Sequence, residues 1–424
     1  MQILLTNTYS HRNKGDGGIV QGILSSFWAV DEDVGFTLVS LDPQADRAYY
    51  TDPRIEVIEA PVPVPDPEAG KAAQARHWLA QLLWRFPTSW AGARGDGRWA
   101  SPEARRFLAR AREADLALAC GGGYLHDSFR MGLYVHLAQL WLADRAGLDV
   151  HLLPQSIGPA SGIERRLLAR TLARAEHVYV REPVSESFVQ HLDVDAPLTL
   201  APDPAFALEA DPTSAAREAI DAVHQLEPPV VGFTVRRWHF PGLDQTQARY
   251  ERYLAAYGDL FRDHEDVDFV FVPQVTGPGD DDDRIALADL EELMDWSDRP
   301  ANVHSLDPEL TPRELIAAIA RMDAFVGTRM HSNVFALCGR VPTLAVSYLP
   351  KTDGIMEMFG LEDWVLDIAE LTPHKLRDGF QRLMRARQGY AQRLAARMPE
   401  VQTRARQPAR DVLDAQLAPT PASR

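Results

Sequence analysis

Two hydrophobic rhythms alternate along the chain. Short, nearly continuous apolar runs read as buried strands, and longer stretches with apolar positions every three or four residues read as helices. In the first half, strands are predicted at 3–6, 36–40, 55–58, 114–120, 151–153, 177–180 and 198–201, and helices at 17–28, 134–146, 163–175 and 184–191. Residues 62–104 are rich in Pro, Trp, Arg and Gly and break the rhythm, which predicts an irregular or helical insertion. The rhythm restarts with strands at 230–235, 268–273, 324–326, 343–347 and 364–367, and helices at 250–264, 284–296, 312–321 and from 373 to about 398. Such alternation predicts an α/β fold with parallel sheets. The restart predicts two Rossmann-like domains facing a cleft, over 1–210 and 228–355, with a strand and helix over 356–400 packing back toward the first. Residues 401–424 show no apolar periodicity and predict a frayed tail.

Composition narrows the partners. Forty-four Lys and Arg against 60 Asp and Glu give a net charge of −16, which argues against a general nucleic-acid binder. It does not exclude an anionic ligand, because local cations decide that. The N-terminus, MQILLTN, lacks a basic leader region, and no apolar run is long enough to span a membrane. A cytoplasmic protein is expected, with peripheral membrane association left open. Cys120 and Cys338 both sit in apolar segments and read as buried thiols in a reducing compartment.

The chemistry concentrates in residues 326–351, VGTRMHSNVFALCGRVPTLAVSYLPK. Arg329 and His331 follow the end of one predicted strand, and Lys351 lies just past the end of the next. Ligand crevices of open parallel sheets lie at those ends. Two cations and one imidazole there suit an anionic substrate that needs proton transfer. Arg181 follows another strand, and Arg236 and Arg237 end the first strand of the second half. A guanidinium so placed can grip a carboxylate or phosphate with two hydrogen bonds. Gly15-Asp16-Gly17-Gly18 opens a helix with Asp16 as its expected N-cap, and reads either as an anion-binding turn or as an ordinary tight connection. Gly121, Gly122 and Gly123 either line a ligand or let two chain segments cross closely. His126, just beyond, either touches a substrate or caps a helix. Gln155 and Ser156 are polar groups at a further strand end. The four aspartates at 280–283 read as a solvated loop, and no metal site is expected.

These segments, as GDGGI, GGGYLHD, PQSIGP, VYVREPVSESF, APDPAFAL, VGFTVRR and GTRMHSNVFALCGRVPTLAVSYLPK, resemble in order those of the polysaccharide pyruvyl transferase family, over residues 15–351. The family's usual Gly-Met-Arg-Leu-His becomes Gly327-Thr328-Arg329-Met330-His331, with the Arg–His spacing kept. Its usual Arg-Asp becomes Arg181-Glu182. The resemblance implies a two-domain fold similar to GT-B glycosyltransferases. It also implies transfer of a pyruvyl group from phosphoenolpyruvate to a sugar, forming a ketal and releasing phosphate. On that reading His331, Arg329 and Lys351 are catalytic. Arg181, Arg236, Arg237, Asp16, Gly121, Gly122, Gly123, His126, Gln155 and Ser156 bind substrate, and no cofactor is needed beyond the donor phosphoenolpyruvate. The acceptor is a sugar, oligosaccharide or lipid-linked glycan. The alternatives are a nucleotide-sugar-dependent glycosyltransferase or epimerase on the same fold, and a non-catalytic glycan-binding homologue.

Overall fold

A computed structural model describes residues 1–63, 71–81, 86–95, 99–211, 213–277, 279–296, 299–307 and 309–417. The chain forms two compact units. The first comprises Met1–His11, Ile19–Ala207 and the chain from Thr403; the second comprises Arg12–Gly18 and Leu208–Gln402.

The first unit is built on strands β1 (Gln2–Thr8), β2 (Gly35–Ser40), β3 (Ile55–Glu59), β4 (Leu116–Ala119), β5 (Val150–Gln155), β6 (His177–Val180) and β7 (Leu198–Leu200). They form one parallel sheet in the order β3-β2-β1-β4-β5-β6-β7. Successive side chains of a strand point to opposite faces, and the packing follows that period of two. Ile3, Leu5, Leu116 and Leu118 join Ile19, Ile23 and Phe27 on one side. Leu4, Ala117 and Ala119 join Phe107, Leu133 and Leu137 on the other. Covering both faces explains why these strands read as continuous apolar runs rather than alternating ones.

The second unit carries β8 (Val230–Thr234), β9 (Asp268–Phe271), β10 (Val303–Ser305), β11 (Ala324–Gly327), β12 (Thr343–Ser347) and β13 (Val365–Asp367). This sheet is also parallel, in the order β10-β9-β8-β11-β12-β13. Strand order reverses direction between β8 and β11, the switch point at which such sheets bind ligands beyond their carboxyl ends.

Three expectations change. The helix expected at 17–28 spans Lys14–Trp28, so Asp16 lies in its first turn and is not the cap. Asn13 caps instead, its Oδ1 accepting the Gly15 N–H at 3.0 Å. A carboxylate in the first turn still complements the helix dipole. Of the expected frayed tail at 401–424, residues 401–417 are helical, the end of a last helix Pro373–Leu417, and 418–424 lie outside the described residues. Val401, Ala405, Ala409, Val412 and Leu413 are buried along one stripe, and the last three pack into the core of the first unit with Ile3 and Phe27. Small alanines on that stripe hide its periodicity in the sequence. Finally, the helices Pro43–Tyr49 and Pro350–Met358 and strand β10 go unread in the sequence. The expected insertion at 62–104 contains the helices Lys71–Ala80 and Phe86–Gly92, and its residues 64–70, 82–85 and 96–98 lie outside the described residues. No helix among the described residues is long and apolar enough to cross a membrane.

Candidate active site

The loop from β11 into the helix Met330–Cys338 is held from several sides. Gly327 has no room for a side chain, since a Cβ would meet Asn333 Oδ1 at 1.9 Å. Asn333 Nδ2 donates back to the Gly327 carbonyl at 3.2 Å. From β8, Thr234 Oγ1 accepts the N–H groups of Thr328 at 2.8 Å and Arg329 at 3.2 Å. Tyr253 and Tyr257 both place their hydroxyls 3.1 Å from that of Thr328. Arg329 takes the N-cap position with extended backbone, so its side chain projects from a fixed turn beyond the sheet.

That side chain is buried among carboxylates. Arg329 Nε donates to Asp283 Oδ1 at 2.7 Å. Its Nη1 and Nη2 donate to the two oxygens of Asp281 at 3.0 Å each. Asp283 also accepts the N–H groups of Gln274 at 2.9 Å and Val275 at 3.0 Å. Burial pushes the Asp283 carboxyl up, while Arg329 and those two amides pull it back. Asp281 is the exposed partner, with 54% of its side chain open to solvent. Its loss of solvation would raise its pKa, but Arg329, Arg236 and Lys351 outweigh that and hold it low.

Arg236 reaches the same place from the end of β8. Its Nη2 donates to Asp281 Oδ1 at 2.7 Å, and its guanidinium carbon lies 4.3 Å from the Tyr348 ring centre and 5.1 Å from the Trp238 ring. Lys351, second residue of the helix Pro350–Met358, holds its Nζ 5.8 Å from the same Tyr348 ring. Three cations against two carboxylates leave the cluster net positive, which favours an anionic ligand. Arg237 points elsewhere. It makes a two-pronged pair with Asp289, both contacts at 2.7 Å, and Tyr250 donates to the same carboxylate. A groove of about 570 Å³ lined by Arg237, Trp238, Tyr250, Glu251, Asp289 and Glu292 opens there.

His331 occupies the first turn of its helix, 8% exposed. Its ring lies against the Gly15 backbone: a Cβ on Gly15 would stand 2.3 Å from His331 Nδ1. The glycine-rich turn of the sequence therefore makes room for an imidazole. Asp16 is buried in the same turn.

The remaining candidates belong to the first unit. Arg181 is 1% exposed and lies within an ion network of its own. Its Nη1 donates to Asp203 Oδ2 at 2.5 Å and its Nε to Ser156 Oγ at 3.0 Å, with Glu182 at 3.4 Å. Ser185 donates to Glu182 and accepts the Ile157 N–H. Three sequence motifs, around 155–159, 181–188 and 201–207, are thus tied together through Arg181 and its partners. Gly121 packs where a Cβ would meet the Pro154 carbonyl at 2.7 Å, and Gly122 has φ +143. The Gly122 carbonyl accepts the Ser156 N–H. The glycine run is a close crossing of the loops after β4 and β5. Gln155 is buried and bonds the Leu153 carbonyl, while Gly123 and His126 are partly buried beside that crossing.

The structure thus gathers Arg236, Arg329 and Lys351 around Asp281 and Tyr348, places His331 in the same unit against Gly15, and gives Arg181 and Arg237 separate carboxylate partners. Sequence reasoning gave Tyr348 no role and read Asp281 and Asp283 as part of a solvated loop, whereas both pair with Arg329 and Asp283 is buried. Tyr348 carried a signal in its position, directly after β12 as Arg329 comes soon after β11. The aspartates carried none, because a buried carboxylate in an acidic run looks the same as a solvated one.

The profile of the polysaccharide pyruvyl transferase family matches residues 13–350 of this chain. The amylovoran biosynthesis protein AmsJ of Erwinia amylovora is 22% identical over 386 residues, covering 88% of this chain and 89% of that protein. Among solved structures, HepE of Anabaena, in complex with UDP and glucose, superposes with a TM-score of 0.58 at 14% identity, covering 98% of this chain and all of that one. The UDP-GlcNAc 2-epimerase of Neisseria meningitidis, bound to UDP-GlcNAc, gives 0.58 at 9% identity with 98% and 100% coverage. At such identities the structural likeness shows the fold alone, that of GT-B glycosyltransferases and UDP-GlcNAc epimerases.

Proposed function

Because this chain belongs to the polysaccharide pyruvyl transferase family, we propose that it moves a pyruvyl group from phosphoenolpyruvate to a sugar of a polysaccharide or glycan precursor. The product is a ketal on two sugar hydroxyls, with release of phosphate. The observation that carries the reading is the net-positive cluster of Arg236, Arg329 and Lys351, with His331 two residues from Arg329. Phosphoenolpyruvate bears a phosphate and a carboxylate, so it asks for several cations in one place.

The chemistry needs a proton on the methylene carbon as a sugar oxygen bonds to C2. His331 is the proton donor. A second sugar oxygen then bonds to C2 as the C2–O bond to phosphate breaks. Of the two hydroxyl protons, the equivalent of one ends in the new methyl group and the other on phosphate. Fixed cations that grip the phosphate also stabilise the charge it gains on leaving. The scheme uses no cofactor.

The test supplies the purified chain with phosphoenolpyruvate and candidate glycans, including lipid-linked ones, and in parallel with UDP-sugars. Phosphate released only when donor and acceptor are both present supports pyruvyl transfer. UDP release without phosphate release would make the chain a nucleotide-sugar enzyme instead.

A further inference from the structure

We propose that Tyr348 is the group that takes the proton from the attacking sugar hydroxyl, acting as the counterpart of His331. The inference rests on the pyruvyl-transfer reading and adds a residue to it.

The geometry is that of a phenol enclosed by cations. Tyr348 stands directly after β12 and two residues before the helix Pro350–Met358, whose N-terminal end favours negative charge nearby. Arg236 lies 4.3 Å over its ring and the Lys351 Nζ 5.8 Å away. The Trp238 ring packs at 4.8 Å, tilted 56°. The charged groups facing it are Lys351, Arg236 and Arg329, opposed by Asp281. Among the described residues no group hydrogen-bonds its hydroxyl, which leaves that oxygen free for a substrate.

The consequence is an acidic phenol. Burial alone would push Tyr348 up, but the three cations outweigh burial and bring it down to about 8. Tyr250, Tyr253 and Tyr257 of the same unit go the other way, raised chiefly by burial. The charges of Lys351, Arg236 and Arg329 favour the phenolate over the neutral phenol. A base that titrates near working pH is well matched to proton transfer.

The steps balance. The first sugar hydroxyl gives its proton to the Tyr348 phenolate while its oxygen bonds to C2, and the C2–C3 π pair takes a proton from the His331 imidazolium. The second hydroxyl gives its proton to the now neutral His331 while its oxygen bonds to C2 and the C2–O bond to phosphate breaks. The departing phosphate takes the bond pair and the Tyr348 proton, restoring phenolate and imidazolium.

Tyr348→Phe tests this, because it keeps the ring that Arg236 and Trp238 pack against and removes only the hydroxyl. Ultraviolet titration of tyrosinate in the wild-type chain should show one phenol ionising at about 8, absent from the variant. With phosphoenolpyruvate and acceptor, wild-type turnover should rise with pH as that phenol ionises. The variant should lose that limb and about 10²–10⁴-fold in turnover, a typical loss for a general base, with the donor KM and melting temperature little changed. A titration that shows no difference overturns the proposal, as does near-normal turnover in Tyr348→Phe. If the wild-type chain releases no phosphate at any pH, pyruvyl transfer itself fails and the role of Tyr348 falls with it. If wild type is active and the variant equally so, only the role of Tyr348 falls.

Discussion

Gly15 and His331 form a pair in which one residue's missing side chain is the other's space. A methyl group on Gly15 would have to stand 2.3 Å from the imidazole. Gly15→Ala should therefore displace the His331 ring and lower turnover at least tenfold while donor affinity changes little, as read from steady-state kinetics. His331→Gln keeps hydrogen-bonding capacity but delivers no proton at neutral pH. Its turnover should fall by about 10²–10⁴-fold with phosphoenolpyruvate binding retained in calorimetry. Near-normal turnover in His331→Gln would reduce the histidine to a positioning role. At this scale the sequence was legible where spacing carries the chemistry, as in Arg329 and His331. It was illegible where burial decides. The buried Asp283, first residue of the helix Asp283–Leu293, becomes a partner of Arg329 only when that helix start meets the turn after β11, and nothing local marks it.

Among the elements, the loops after β5, β6 and β7 are joined through Arg181, with Asp203 and Glu182 as its buried counterions. Removing one partner of such a network leaves uncompensated buried charge, which costs about 3–5 kcal/mol. Arg181→Met should accordingly lower unfolding stability by that order in a denaturant titration. A loss of activity at unchanged stability would instead make Arg181 a substrate-gripping residue. The strands themselves were easy to read, because parallel sheets covered on both faces give continuous apolar runs. Short elements such as the helix Pro43–Tyr49 and β10 were not, since few of their residues face a core.

For the whole molecule, two parallel sheets follow from the repeated alternation of strand and helix. The chain from Thr403 belongs to the first unit, whose core takes in Val412 and Leu413. Truncation after Gln402 should destabilise that unit by about 3–6 kcal/mol, at 1.5–3 kcal/mol for each buried Val or Leu. Calorimetry of the truncated chain measures this, and an unchanged melting transition would show the helix end to be dispensable. The sequence concealed this segment because its buried stripe is partly alanine.

The central claim is that the cluster around Arg329 and His331 serves pyruvyl transfer, and the product's methyl group tests it most directly. When the reaction runs in heavy water, the proton added to the methylene carbon comes from an exchangeable group. Proton NMR of the glycan should then show a new ketal methyl carrying one deuterium, formed in step with free phosphate and suppressed in His331→Gln. A glycan that gains no such methyl while a nucleotide is released from UDP-sugars would contradict the account.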